Sequence, residues 1–188
     1  TIIMAESDRL KWDQRYSQFT GIDQEPPSWL IDVSDEIPHL GRALDIAAGT
    51  GRLSLWLARR GLDVLAVDIS SVGLELARQT AEAEGHLIET LSLDLEAQSL
   101  PDGPFDVITC FHYWQRDIFP MIRERLQPDG VFVAEVATVA NLERHPHPSL
   151  QYLADPGELK QQCQLLQIAY YQECWFDDHA MARVVARK

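Results

Sequence analysis

Short apolar runs alternate with helically spaced ones along most of this chain. Ala43-Leu44-Asp45-Ile46-Ala47 reads as a buried strand, and Leu53, Trp56 and Leu57 then fall on one face of a helix over 53–60. Gly61 stops that helix, and Asp63-Val64-Leu65-Ala66-Val67 forms a second strand ending in Asp68. Ser70 or Ser71 caps a helix reaching Glu84, with Gly85 as the residue that ends it. A third strand covers 86–93, and the turn Pro101-Asp102-Gly103-Pro104 leads into a fourth over 105–111. A helix over 119–126 tolerates Pro120 in its first turn, and Pro128-Asp129-Gly130 turns into a fifth strand over 131–137.

The tail changes character. His145-Pro146-His147-Pro148 marks a loop, Asp155-Pro156-Gly157-Glu158 has the form of a capping box, and two further strands follow over 165–175 and 181–186, joined at Asp177-Asp178. Strands alternating with helices imply parallel βαβ units covered on both faces, and right-handed crossovers then favour a doubly wound three-layer α/β sandwich. The closing strands would add an antiparallel C-terminal edge. A length of 188 residues suits one domain. Its parts would be an N-terminal helical segment or lid over 1–40, a ligand-binding core over 41–140 and a closing helix with strands over 141–188.

Composition narrows the class. At 46% hydrophobic and 24% charged residues the chain is that of a folded globular protein, neither disordered nor fibrous. No apolar run approaches the roughly 20 residues of a membrane span, and Glu6, Asp8, Arg9, Lys11 and Asp13 leave no apolar leader near the N-terminus. Twenty-nine acidic against sixteen basic residues give a net charge of −13, which disfavours nucleic acid as a partner. Cys110, Cys163 and Cys174 are widely spaced with no C-x-x-C, as expected of a reduced, cytoplasmic, metal-free protein. His145 and His147 lack a nearby third ligand.

In doubly wound sheets the ligand lies beyond the carboxyl ends of the strands, where strand order reverses, so the residues following each strand carry the chemistry. After the first come Ala47, Ala48, Gly49, Thr50 and Gly51, where glycines let backbone N–H groups approach a ligand beside a helix N-terminus. Asp68 follows the second strand, suited to vicinal ribose hydroxyls. Asp94 and Leu95 follow the third, an acceptor for an exocyclic amino group beside an apolar wall. Phe111, His112, Tyr113 and Trp114 follow the fourth.

Those blocks together resemble the class I S-adenosylmethionine-dependent methyltransferases. Asp45-Ile46-Ala47-Ala48-Gly49-Thr50-Gly51 resembles the family's acidic residue followed by G-x-G-x-G, with Ala47 in place of the first glycine. Val67-Asp68-Ile69-Ser70, Asp94-Leu95-Glu96 with Phe105-Asp106-Val107-Ile108, and Leu126-Gln127-Pro128-Asp129-Gly130 resemble the later motifs. Lys11-Trp12-Asp13-Gln14-Arg15-Tyr16 and Asp155-Pro156-Gly157-Glu158-Leu159 are most similar to the small bacterial tellurite-resistance type. The resemblance implies S-adenosylmethionine as cofactor and a small-molecule acceptor. It implies Gly49 and Gly51 beside the methionyl part, with Asp45 fixing a water or the amino group. Asp68 would hold the ribose, Ile69 and Leu95 would pack on adenine, and Asp94 would bind its amino group. Arg15 would pair with the cofactor carboxylate.

His112 is the candidate base, because its ordinary pKa lies near neutrality, with Tyr113 orienting it or the acceptor. Two other classes compete. A nicotinamide-dependent oxidoreductase would need G-x-G-x-x-G, but the third glycine falls on Ser54 or Arg52. A binding module holding S-adenosylmethionine without transfer would keep the same cofactor residues. Neither the acceptor nor an oligomeric state is written in these motifs.

Overall fold

The computed structural model describes residues 2–19 and 25–188. Five strands, β1 (Arg42–Ile46), β2 (Asp63–Asp68), β3 (Ile88–Ser92), β4 (Phe105–Phe111) and β5 (Leu126–Ala137), run parallel in one sheet. β6 (Gln167–Phe176) and β7 (His179–Arg187) complete it in the order β3-β2-β1-β4-β5-β7-β6. The doubly wound architecture expected from the alternation is therefore present. The C-terminal hairpin is arranged less simply than a terminal edge strand: β6 takes the outer position, and β7 returns between it and β5, antiparallel to both.

Burial explains the layers. On one face Ala43, Val64, Ala66, Val107 and Val133 pack under α2 (Ser28–Asp32), α3 (Arg52–Arg59) and α4 (Ser71–Ala83). On the other, Leu44, Ile46, Ile108, Phe132 and Val184 meet α5 (Ile118–Arg125) and α6 (Glu158–Gln162). Covered on both sides, the central strands read as continuous apolar runs. The stripe expected for α3 was too narrow. Leu55 is buried along with Leu53 and Leu57, whereas Trp56 is only half-buried with the Arg60 guanidinium 4.8 Å over its ring. A helix packed against both the sheet and a neighbouring helix buries more than one side of itself.

Caps fall close to their sequence signals. Ser70 Oγ accepts the Gly73 N–H at 3.1 Å at the start of α4, and Gly85 takes a left-handed φ of +80° just past its end. The box before α6 is half made: Glu158 accepts the Asp155 N–H at 2.8 Å, but Asp155 gives no side-chain cap, and Gly157 opens the helix at φ +73°. The N-terminal helix α1 (Ile2–Tyr16) lies against α4.

Gly51 is fixed by packing. Its φ is +83°, and a Cβ there would lie 2.3 Å from Ala77 Cβ in α4. Gly51→Ala combines left-handed strain with a clash in a dense interface, and is expected to lower unfolding free energy by about 2–4 kcal/mol in urea titrations. Retained stability would mean that α4 can retreat freely.

Candidate active site

The order β2-β1-β4 contains the point at which successive connections leave the sheet in opposite directions, and the candidate residues gather at the carboxyl ends of these strands. Asp45 lies at its base. It is 1% exposed, with Oδ2 accepting the Ser54 hydroxyl at 2.6 Å and Oδ1 the Thr109 hydroxyl at 2.7 Å. These two bonds join β1 to α3 and β4. Asp45 thereby anchors the base of the loop that follows β1. Desolvation lifts its pKa to about 6, against the hydroxyl bonds that pull it down.

The loop above begins at Ala47, whose φ of +55° places an alanine in the left-handed region where the family pattern has glycine. Gly49 follows at φ +57°, and its N–H donates to Asp68 Oδ2 at 2.8 Å. The Ser70 N–H donates to Asp68 Oδ1, also at 2.8 Å. Asp68 is 6% exposed and burial raises its pKa, countered by these backbone bonds. Each of its oxygens keeps a further lone pair. Gly51, expected from the resemblance beside the methionyl group, is held against Ala77 in the helical layer.

Ile69 is half-buried after β2, Leu95 is 7% exposed after β3, and the preceding Asp94 takes the Glu96 N–H on Oδ1 at 3.0 Å. The loop after β4 is tied to them: Tyr113 donates its hydroxyl to Gln115 Oε1 at 2.6 Å, and Gln115 Nε2 donates to the Leu95 carbonyl at 3.1 Å. Tyr113 is thus a brace between two loops, its phenol pushed well above the ordinary range chiefly by burial. Phe111 is 7% exposed and stacks on Trp29 of α2, centroids 5.7 Å apart. His112 leaves the strand at φ +57° with a side chain 57% exposed. Its pKa is lowered by desolvation, against the upward pull of Glu135. Cys110 is core: it is buried, and its thiol is driven far up by desolvation.

Arg15 stacks on its own helix. It is exposed on α1 with its guanidinium 5.1 Å over the Trp12 ring. Positions 13 and 16 share a helical face that position 15 does not, and Asp13 and Tyr16 are the ones presented. Asp13 Oδ1 accepts the Ser70 hydroxyl at 2.6 Å, and Tyr16 Oη lies 2.8 Å from where a Gly49 Cβ would stand. Burial, then the neighbouring Asp68, pushes the Tyr16 phenol far up. The contacts of these two residues with the loop and with Ser70 were not read from the sequence, although Trp12-Asp13 and Tyr16 stand in the same motif as Arg15. Their i, i+3 spacing was the available signal.

These groups fit S-adenosylmethionine. Asp68 and Asp94 are acceptors where ribose hydroxyls and an adenine amino group are donors, the loop at Gly49 excludes a Cβ, and a cationic sulfonium suits an acidic rim. Residues 43–130 match the family described as a methyltransferase domain. The demethylmenaquinone methyltransferase of Thermus thermophilus is 43% identical over 70 residues, 36% of this chain and 32% of that protein. The ubiquinone biosynthesis O-methyltransferase of Acinetobacter baylyi is 33% identical over 104 residues, 53% and 44% of the two chains. The chain thus spans less than half the length of these curated relatives. Among solved structures, TehB from Haemophilus influenzae superposes with a TM-score of 0.73 at 22% identity, over 94% of this chain and 67% of that one.

The raised pKa of Asp45 gives a test with a definite sign. A carboxyl whose folded pKa lies above its unfolded value favours the native state while protonated and loses that advantage as pH rises from about 4 to 7. The stability of the native sequence relative to Asp45→Asn should therefore fall by up to about 3 kcal/mol across that range. Parallel urea curves at several pH values would measure it, and a flat difference would contradict the buried charge. Residues 43–130 match the methyltransferase-domain family, and the doubly wound sheet around them has the fold seen in TehB.

Proposed function

We propose that this chain transfers a methyl group from S-adenosylmethionine to a small-molecule acceptor. The observation that carries the reading is the set Gly49, Asp68 and Asp94 at the carboxyl ends of three adjacent strands, with Phe111 and His112 across the switch point. Bound, the cofactor supplies an electrophilic methyl carbon on a sulfonium whose thioether leaves without protonation. The protein's work is then binding and alignment. Asp68 accepts the ribose hydroxyls, Asp94 the adenine amino group, and Ile69 and Leu95 enclose the ring. Catalysis consists largely of holding the acceptor about 3–3.5 Å from the methyl along the bond axis. An acceptor that arrives protonated gives its proton to His112.

The net charge of −13 favours a neutral or cationic small acceptor over nucleic acid. Among the described residues no helix is long and apolar enough to cross a membrane, and the three cysteines are unpaired. We place the protein in the cytoplasm on the latter ground. Release of S-adenosylhomocysteine across a panel of small acceptors separates transfer from mere binding: tight binding with no turnover would favour a non-catalytic module.

For the cofactor, calorimetry with S-adenosylhomocysteine is expected to give micromolar-range affinity, weakened by about 1–3 kcal/mol in Asp68→Ala. A folded sample giving no heat would overturn the reading. For the N-terminal segment, α1 is a lid whose latch is the Asp13–Ser70 bond and whose seal is Tyr16 over Gly49. Asp13→Ala should speed amide exchange of α1 by about tenfold, matching the loss of roughly 1.5 kcal/mol of charge-assisted bonding, while β1, β4 and β5 stay protected. Equal exchange in both proteins would remove the latch.

A further inference from the structure

His112 is attached to Glu135 twice. Its backbone N–H donates to the Glu135 carbonyl at 2.8 Å, adding a bond beyond the last paired residues of β4 and β5, while its Nε2 stands 3.5 Å from Glu135 Oε1. The left-handed φ of +57° at a non-glycine residue is strained, and strain at a strand end beside a cleft is retained where the surroundings impose it. Glu135 is a glutamate 5% exposed within a strand that is otherwise apolar from Val131 to Val136, and its other oxygen accepts the Arg183 Nε at 2.6 Å. Glu135 is paired with Phe111 of β4 on one side and Arg183 of β7 on the other, so the three form one row on one face of the sheet. Trp29 closes that row, stacked on Phe111 and with the Arg183 guanidinium 5.3 Å over its ring.

A buried ion pair is costly to desolvate, and an apolar pair would serve the sheet as well. Its placement has a chemical use. We propose that Glu135, held by Arg183, is a positioning residue for His112: it keeps the imidazole in the Nε2–H form and leaves Nδ1 as the nitrogen that takes the acceptor's proton. This rests on the methyl-transfer reading above. In that step the acceptor's heteroatom forms its bond to the methyl carbon as the sulfonium–methyl bond breaks. The acceptor proton goes to Nδ1, and the charge of the resulting imidazolium is balanced by Glu135. Arg183, through its Nε bond to Oε2 at 2.6 Å, fixes the direction of the Glu135 carboxylate, which in turn orients the ring.

The groups that act on the ring are Glu135 from β5, Arg52 from α3, and His179 and Arg183 from β7. Only Glu135 among them favours the charged imidazole. Removing it and removing Arg183 should therefore move His112 in opposite directions, which general loosening of the sheet would not do. The experiment is nitrogen-15 NMR of the full chain labelled at histidine, followed from pH 5 to 9, with His112→Gln identifying the signal. The native protein should show the Nε2–H form once neutral. Glu135→Gln should lower the His112 pKa by about one unit, a tenfold loss of proton affinity, and Arg183→Gln should raise it.

A native ring in the Nδ1–H form, or an unchanged titration in Glu135→Gln, would overturn the proposal; because Glu135→Gln keeps shape and a hydrogen-bond acceptor for Arg183, it does not depend on Arg183→Gln folding. Calorimetry with S-adenosylhomocysteine on the same samples separates the two readings. Affinity should stay within about threefold in Glu135→Gln, because the residue lies outside the cofactor set. Absence of binding by the native protein would overturn methyl transfer itself, whatever the imidazole does.

Discussion

A carboxylate with 1% exposure would be expensive were it left alone, and Asp45 persists in the sheet because two hydroxyls are brought to it from different directions. Ser54 comes from the first turn of α3 and Thr109 from β4, so the three elements meeting at the switch point cannot shift independently. Everything that follows β1 inherits this constraint. The chain must climb from Asp45 into α3 within a few residues, which forces left-handed conformations at Ala47, Gly49 and Gly51. That path in turn aims the Gly49 N–H at Asp68 and brings the helical layer close enough for Gly51 to touch Ala77. The cofactor end of the sheet is rigid because its lowest layer is polar and fully paired.

Much of this was legible beforehand. Strand and helix periods, the stops at Gly61 and Gly85, and the acidic residues after β2 and β3 are local signals, readable without partners. Asp68 and Asp94 stand where strand ends must be. The hydroxyl bonds of Asp45 and the packing of Gly51 on Ala77 were not legible, because the motif groups residues by their neighbourhood in sequence, whereas burial separates them: one is bonded within the sheet layer and the other packs in a helix contact.

Other features were not legible for a different reason. Arg15 is the charged residue that attracts notice in its motif, yet helix geometry turns Asp13 and Tyr16 toward the loop. Glu135 interrupts an apolar run in β5, and its meaning depends on Arg183, 48 residues later, which β7 brings to the adjacent position. No period or motif encodes a pairing that exists only after the last strand has been inserted.

That insertion has a bearing on how the molecule is made. β5 offers one edge to β4 and waits for the other until β7 arrives, with Val131 paired to Arg187 and Ala137 to Met181. During synthesis the nascent chain therefore carries a long apolar strand edge for as long as it takes to translate the closing hairpin. An unpaired edge of this kind is a template for another chain's strand. The hairpin must reach past the outermost place in the sheet and fold back into the gap, a non-local step that is slow relative to the βα units before it. The strand order itself thus leaves the β5 edge open until the last residues of β7 are in place.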